Sequence, residues 1–243
     1  MALPKFNDIP IYELTVPSTK QKVKYRPFLV KEQKVLLMAL ESQDDTQILN
    51  AIMNTIEACV QDKIDVKALA TFDVEYIFVQ IRTKAAGETT DIGLACSNCG
   101  EVNTVKVKLE DIVIDLPQDP PVIDLNEEYK LRLKYPRYEA LLRESANATN
   151  GTVSQLYGLI EACLDTLETK EERIVFKDEA KEDVESFLDQ LNTDQFDKIM
   201  EFVNDLPRLS HDVQFSCESC GTANTRTLEG ISDFFQLPSP TKA

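Results

Sequence analysis

Two short strings, Cys96-Ser-Asn-Cys-Gly100 and Cys217-Glu-Ser-Cys-Gly221, constrain this chain more than any other feature. Their Cys-X-X-Cys spacing places two thiolates on one side of a metal ion, and the glycine lets the backbone turn beneath them. A closed structural site needs four ligands, so each string supplies half of one site. The predicted metal ligands are Cys96, Cys99, Cys217 and Cys220.

Zinc is the metal that four thiolates favour, and iron in the same geometry is the alternative, because rubredoxin uses the same knuckle. A redox dithiol has the same spacing and stays open as a third interpretation. Closing the loop between the strings costs about 4 to 5 kcal/mol. A structural zinc contributes on the order of 10 to 16 kcal/mol, so the metal outweighs that cost. Cys59 and Cys163 lie on apolar helical faces, where packing is expected.

The same series of features occurs twice along the chain, which predicts a degenerate tandem repeat. The first copy contains Val23-Lys-Tyr-Arg-Pro27, Ile56-Glu-Ala-Cys-Val60, Thr71-Phe72, the first cysteine string, Asn103-Thr104 and Leu116-Pro117. The second contains Leu133-Lys-Tyr-Pro-Arg137, Ile160-Glu-Ala-Cys-Leu164, Thr193 to Phe196, the second cysteine string, Asn224-Thr225 and Leu237-Pro238. We predict a first repeat over residues 1–117, a proline-rich linker over 118–128, and a second repeat with an acidic insertion over 129–243. The shared four-cysteine site would join the repeats.

Hydrophobic periodicity predicts an α+β fold that is rich in helix. Alternation predicts strands over residues 11–16, 22–28, 104–109 and 129–135. Helical spacing predicts helices over 31–42, 48–60, 74–81 and 196–203. Thr71 and Thr193 precede two of these helices, and each is a candidate N-cap.

Composition argues against two classes of partner. The chain carries 42 acidic and 26 basic residues, a net charge of −16, which opposes binding to phosphate backbones and anionic lipid headgroups. A zinc ribbon that binds nucleic acid is therefore disfavoured, since no basic cluster surrounds either cysteine string. No apolar run is long enough to cross a bilayer, and residues 1–10 lack a secretory signal. We expect neither nucleic acid nor membrane as a partner.

Catalysis is not predicted. Four thiolates close the coordination sphere of a metal, whereas a catalytic zinc needs an open position. The only histidine, His211, lies in a polar stretch and is expected to be an exposed loop residue rather than a general base. The sequence contains no phosphate-binding glycine loop, nucleophile elbow or metalloprotease helix.

A resemblance gives the function a sharper form. The strings Met1-Ala-Leu-Pro-Lys-Phe6, Tyr12-Glu-Leu-Thr-Val-Pro-Ser-Thr19 and Tyr25-Arg-Pro-Phe-Leu-Val-Lys-Glu-Gln-Lys-Val-Leu-Leu-Met-Ala-Leu-Glu41 resemble the baseplate hub and hub-assembly proteins of T-even-like tailed bacteriophages, including cyanophages. The resemblance implies a non-enzymatic structural or assembly protein that acts through protein contacts. Two alternative functions stay open. One is a tail assembly chaperone that is not retained in the virion, and the other is a Cys-X-X-Cys dithiol oxidoreductase.

The resemblance also implies partners and a location. The expected partners are other baseplate hub and tail proteins, including the tape-measure protein. The expected location is the host cytoplasm during assembly and then the tail baseplate of the virion. The hairpin and the segment around Arg26 and Phe28 are a candidate docking surface, because the matched string includes them.

Overall fold

Residues 11–28 alternate between apolar and polar side chains, and this period of two favours a hairpin. The computed structural model describes residues 9–109, 112–114, 120–146 and 152–231. In it, β1 (Tyr12–Thr15) pairs antiparallel with β2 (Lys22–Tyr25), so the predicted N-terminal hairpin is confirmed. The matched string Met1 to Phe6 lies outside the described residues.

The chain forms two compact units. Unit 1 comprises Met1–Val66, Phe72–Asp115 and Arg208–Ala243, and unit 2 comprises Lys67–Thr71 and Leu116–Pro207. After the first hairpin, the elements of unit 1 are α1 (Val30–Ser42), α2 (Asp45–Cys59), α3 (Thr71–Ala86), β3 (Thr89–Ala95), β4 (Val102–Lys108), β5 (Val113–Ile114), β10 (Leu209–Ser216) and β11 (Ala223–Glu229). Those of unit 2 are β6 (Val122–Asp124), β7 (Lys130–Leu133), α4 (Tyr138–Ala146), α5 (Thr152–Cys163), β8 (Leu164–Glu168), β9 (Arg173–Val175), α6 (Lys181–Asp189) and α7 (Thr193–Asn204).

Two hairpins in unit 1 carry the cysteine strings at their turns. β3 pairs with β4, and β10 pairs with β11 and also with β5, all antiparallel. The inward side chains of both hairpins share one apolar core with Val79 of α3. The buried members of that core are Val79, Ile92, Leu94, Val107, Leu109, Leu209, Val213 and Leu228. This core places the two turns in one part of the unit.

Arg26 and Glu32 fasten the start of α1. The Arg26 guanidinium donates to Glu32 Oε1 at 2.8 Å and to the Ala58 carbonyl at 2.9 Å, and Glu32 accepts the backbone N–H of Leu29. The Arg26 side chain is only 15% exposed, and Phe28 is buried. The expectation that Arg26 and Phe28 form a docking surface is therefore wrong, because both side chains serve internal contacts.

Unit 2 packs helices against one sheet. Its four strands have the antiparallel order β6-β7-β8-β9, which confirms a strand within the predicted range 129–135. The core contains Leu131, Leu133, Ile160, Leu164 and Ile199, each almost fully excluded from solvent. These side chains come from two strands and two helices, so the sheet and the helices stabilise one another.

The predicted helix caps need correction. α7 begins at Thr193, and its N-cap is Asn192, whose side chain accepts the N–H of Gln195 at 2.9 Å. α3 likewise begins at Thr71, so this threonine is inside the helix. Asparagine caps a helix as well as threonine does, and sequence alone did not separate the two adjacent candidates.

The described residues contain seven α-helices and several small antiparallel sheets, so the fold is mixed α and β. The tandem repeat and its divisions, 1–117, 118–128 and 129–243, stay predictions. Leu116-Pro117 and Leu237-Pro238 lie outside the described residues, and the predicted linker contains strand β6. Within the ranges that the structure describes, no helix has the length and apolar character to cross a membrane.

Glu75 joins α3 to strand β10. Its Oε2 accepts the backbone N–H of Leu209 at 3.2 Å in a largely desolvated position. Burial raises the pKa of Glu75 to about 7, although the Leu209 N–H and the nearby Arg208 act in the opposite direction. The carboxyl is therefore partly protonated at neutral pH.

Replacing Glu75 with glutamine should stabilise the protein at pH 8 and have little effect at pH 5. A raised folded-state pKa means that the favourable contribution is complete below the unfolded pKa near 4.5 and is lost as pH rises through about 7. We expect a gain of about 3 kcal/mol at pH 8 in urea unfolding, because each unit of pKa difference corresponds to about 1.4 kcal/mol. Glu57→Gln, at an exposed position of α2, is the control, and an equal gain at both pH values would contradict the assignment.

Candidate metal centre

The two cysteine turns have the same backbone geometry. In the β3-β4 turn, Cys96 N–H donates to the Glu101 carbonyl at 2.8 Å, and Gly100 N–H donates to the Cys96 carbonyl at 3.0 Å. The β10-β11 turn repeats both bonds, from Cys217 to Thr222 at 2.9 Å and from Gly221 to Cys217 at 2.9 Å. Gly100 and Gly221 have φ values of 75° and 72°, a left-handed conformation that glycine adopts without strain.

The four thiols of these turns form one cluster. Their Sγ atoms all lie within 4.8 Å of one another. Cys96 Sγ lies 3.7 Å from Cys220 Sγ, and Cys99 Sγ lies 3.6 Å from Cys217 Sγ. A tetrahedron with zinc–sulfur bonds of about 2.3 Å has edges of about 3.8 Å. Both sulfur pairs therefore fit a four-coordinate metal ion, and both are too far apart for a disulfide.

All four cysteines are free thiols, and each turn contributes one buried and one exposed member. Cys96 and Cys217 are buried, whereas Cys99 and Cys220 face solvent. The exposed pair gives a metal ion access to the cluster, and the buried pair anchors the cluster in the fold. This set of sulfur donors could hold a metal ion.

The pKa values of two of the thiols are shifted in opposite directions. Hydrogen bonds from the side chain and the backbone of Thr222 lower the pKa of Cys220 to about 5. The backbone N–H of Glu101 favours the thiolate of Cys99, but hydrogen bonding with Cys220 and Cys217 outweighs it and raises the pKa of Cys99. Four adjacent thiolates repel one another, so full ionisation requires a cation among them.

Asn103 reaches from strand β4 to the opposite turn. Its side-chain oxygen accepts the N–H of Glu218 at 2.9 Å, and its Nδ2 lies 3.6 Å from Cys217 Sγ. The same Nδ2 donates to the carbonyl of Glu101 in its own turn at 2.9 Å. The buried Asn103 amide therefore ties the two turns together and gives the Cys217 sulfur an N–H donor.

Asn224 makes the equivalent contacts from strand β11. Its side-chain oxygen accepts the N–H and the hydroxyl of Ser97 at 2.9 and 2.8 Å. Its Nδ2 lies 3.6 Å from Cys96 Sγ and donates to the carbonyl of Thr222 at 2.8 Å. Each turn thus receives an amide from the other, and the cluster has local twofold pseudosymmetry.

The role of these two asparagines was not predicted from the sequence, in which they are visible only as an Asn-Thr pair after each cysteine string. Only the packed hairpins show that each asparagine contacts the opposite turn. The other two cysteines, Cys59 and Cys163, are buried away from the cluster, and burial raises their pKa to about 11 and about 12. His211 belongs to strand β10 and pairs with Leu228, so the expected loop position is wrong.

The fold and the cluster define a mixed α and β protein whose two cysteine hairpins meet at a four-thiol site. The family model for the T4 bacteriophage base plate protein matches residues 9–236, nearly the whole chain. The chain therefore belongs to this baseplate family, and the predicted resemblance is confirmed. Comparison with curated proteins and with solved structures gives no significant match.

Family membership indicates a structural role in the phage and a location in the virion tail. It also implies contact with other phage baseplate proteins. The family match includes both cysteine hairpins within residues 9–236, so the cluster belongs to the matched region.

Replacing Asn103 with alanine should destabilise the protein by about 1 to 3 kcal/mol, because the partly buried N–H of Glu218 loses its acceptor and the buried Asn103 amide is removed. Asn103→Asp keeps the acceptor but removes the N–H donor near Cys217 Sγ and adds a negative charge, so we expect it to be no more stable than the alanine variant. Urea unfolding measures both effects.

Asn54→Ala, at an exposed position of α2, is the matched control and should change the free energy of unfolding by less than about 0.5 kcal/mol. If Asn103→Ala and Asn54→Ala change the free energy of unfolding by the same amount, the hydrogen bonds of Asn103 between the turns do not stabilise the protein.

Proposed function

We propose that this chain is a non-enzymatic structural protein of the baseplate hub in which one zinc ion is bound by four cysteines. The proposed ligands are Cys96, Cys99, Cys217 and Cys220. The observation that carries the metal proposal is the four-thiol cluster, whose cross-hairpin sulfur distances match the edges of a tetrahedral thiolate site. The family match supports the structural role.

Zinc has a structural role in this proposal. Four protein thiolates leave no open position for water or substrate, so the ion links the hairpins and activates nothing. It holds together two turns that are more than a hundred residues apart in the chain, and its binding free energy exceeds the entropic cost of closing such a loop. The side-chain N–H groups of Asn224 and Asn103 point to the sulfurs of Cys96 and Cys217, and they offset the negative charge of the bound thiolates.

The geometry favours a metal site over a dithiol oxidoreductase. A redox Cys-X-X-Cys pair forms its disulfide within one string. Here each sulfur also contacts the opposite string, Cys96 with Cys220 at 3.7 Å and Cys99 with Cys217 at 3.6 Å, and all four sulfurs lie within 4.8 Å of one another. Iron in the same sulfur tetrahedron is the remaining alternative to zinc, and metal analysis separates the two.

The proposed partners are other proteins of the baseplate hub and tail, with the tape-measure protein among them. The net charge of −16 supports protein partners over nucleic acid, because an acidic surface opposes phosphate backbones. In the proposed pathway the protein folds in the host cytoplasm and is built into the hub. An assembly chaperone that leaves before completion is the second candidate function.

Purified without an affinity metal, the protein should contain one zinc per chain by plasma mass spectrometry. Cys217→Ser/Cys220→Ser should contain none and should unfold at a lower temperature, because the remaining pair is half a site. Cys59→Ala/Cys163→Ala is the matched control and should keep its zinc, since neither thiol belongs to the cluster. One iron per chain would identify the bound metal as iron instead of zinc. An unmutated protein that contains no metal and has reactive thiols would refute the proposed metal site.

Quantitative mass spectrometry of purified phage particles should detect this chain at a fixed number of copies per virion. The Cys217→Ser/Cys220→Ser variant should reduce the yield of particles with complete baseplates. Absence of the chain from normal particles, with assembly still dependent on it, would favour the chaperone function. Normal assembly without the chain would contradict both functions.

A further inference from the structure

Helix α1 presents apolar side chains to solvent along most of its length. Val30 is 79% exposed and Met38 is 59% exposed, and Val35 and Leu37 are exposed as well. Within α1, only Glu32 and Ala39 are buried. Isolated exposed apolar residues are ordinary on a protein surface, but adjacent ones on one helix are typical of a contact surface.

Part of this exposed surface has a regular helical spacing. Val30, Lys34, Leu37, Met38 and Glu41 follow one another at intervals of four, three, one and three residues, so they lie on one side of the helix. We call these five residues the α1 face. It combines an apolar centre, Leu37 and Met38, with a cation on one side and an anion on the other.

The charges along α1 are arranged so that the helix complements itself. Lys31 and Lys34 lie in its first half, and Glu41 lies in its last turn, followed by Asp44. Among the described residues, neither Lys34 nor Glu41 makes an ion pair. The pairs Leu37 with Met38, Lys34 with Glu41, and Lys31 with Asp44 all have the same midpoint, between Leu37 and Met38.

We propose that the α1 face binds the α1 face of a second copy of this chain across a twofold axis. A symmetric dimer places the same patch on both sides, so residue i contacts j and j contacts i. An antiparallel pairing centred between Leu37 and Met38 brings Leu37 against the partner's Met38. The same operation brings Lys34 against the partner's Glu41 on both sides of the apolar centre. One twofold axis therefore gives both the apolar and the charged residues of the α1 face a partner.

The contact is weak and depends on concentration. A helix of 13 residues is about 20 Å long, so a pair of such helices buries an area at the low end of specific interfaces. Two copies that each carry a charge of −16 also repel at long range, which the local Lys34–Glu41 attraction opposes. We expect a dissociation constant of about 10 to 100 µM.

Sedimentation velocity of the full chain between about 5 and 500 µM tests the proposal. The wild type should shift from monomer to dimer across this range. Lys34→Glu should weaken the dimer about tenfold, because two attractive contacts become repulsive. Met38→Lys should abolish dimerisation over the same range. Both positions are exposed, so circular dichroism and thermal unfolding should stay close to those of the wild type.

Charge reversal gives the decisive comparison. The double variant Lys34→Glu/Glu41→Lys restores opposite charges across the twofold axis, so its dimer should recover to within about threefold of the wild type. An equimolar mixture of the Lys34→Glu and Glu41→Lys proteins should also dimerise more strongly than either protein alone. Val153→Lys replaces an exposed apolar residue of α5 and should leave the dimer unchanged.

A wild type that stays monomeric up to 500 µM would overturn the proposal. If Met38→Lys then blocked baseplate assembly, the α1 face would serve a different protein rather than a second copy. A dimer that survives Met38→Lys, or a double variant no tighter than Lys34→Glu, would also overturn it, because the contact would then lie elsewhere or use another register.

Discussion

The closeness of four thiols is the constraint on which unit 1 depends. Sulfur atoms within 4.8 Å of one another cannot all ionise without mutual repulsion. The raised pKa of Cys99, which hydrogen-bonds with Cys220 and Cys217, shows the effect of neighbouring thiols on ionisation. A divalent cation would resolve the conflict, because it would neutralise the thiolates and fix their geometry. The buried amides of Asn103 and Asn224 complete the arrangement by linking each turn to the other through hydrogen bonds.

Segments from the two ends of the chain belong to one unit and share one apolar core. Strands β3 and β4 come from the first half of the chain, and β10 and β11 come from its end, yet both hairpins share one apolar core with α3. Most of the residues between them, Leu116–Pro207, belong to unit 2, which has its own core and sheet.

Much of the local structure was accessible from the sequence, because a strand has a period of two and a helix a period of 3.6. The first hairpin, α1, α2 and β4 were predicted within a few residues of their observed bounds. The N-cap of α7 lies one residue before the predicted one, since Asn192 and Thr193 are both good caps. Arg26 was misassigned to a docking surface because the matched string revealed its presence but not its bonds to Glu32 and Ala58.

The sequence by itself determined the four candidate ligands, the acidic surface charge and the resemblance to phage baseplate proteins, since each follows from residue type, spacing and order. Only the tertiary structure decided that the two cysteine turns meet, with Cys96 near Cys220 and Cys99 near Cys217. It also decided that an asparagine from each hairpin contacts the turn of the other hairpin. These contacts join residues more than a hundred positions apart. Their distances depend on how two hairpins share one core, which no local pattern of residues specifies.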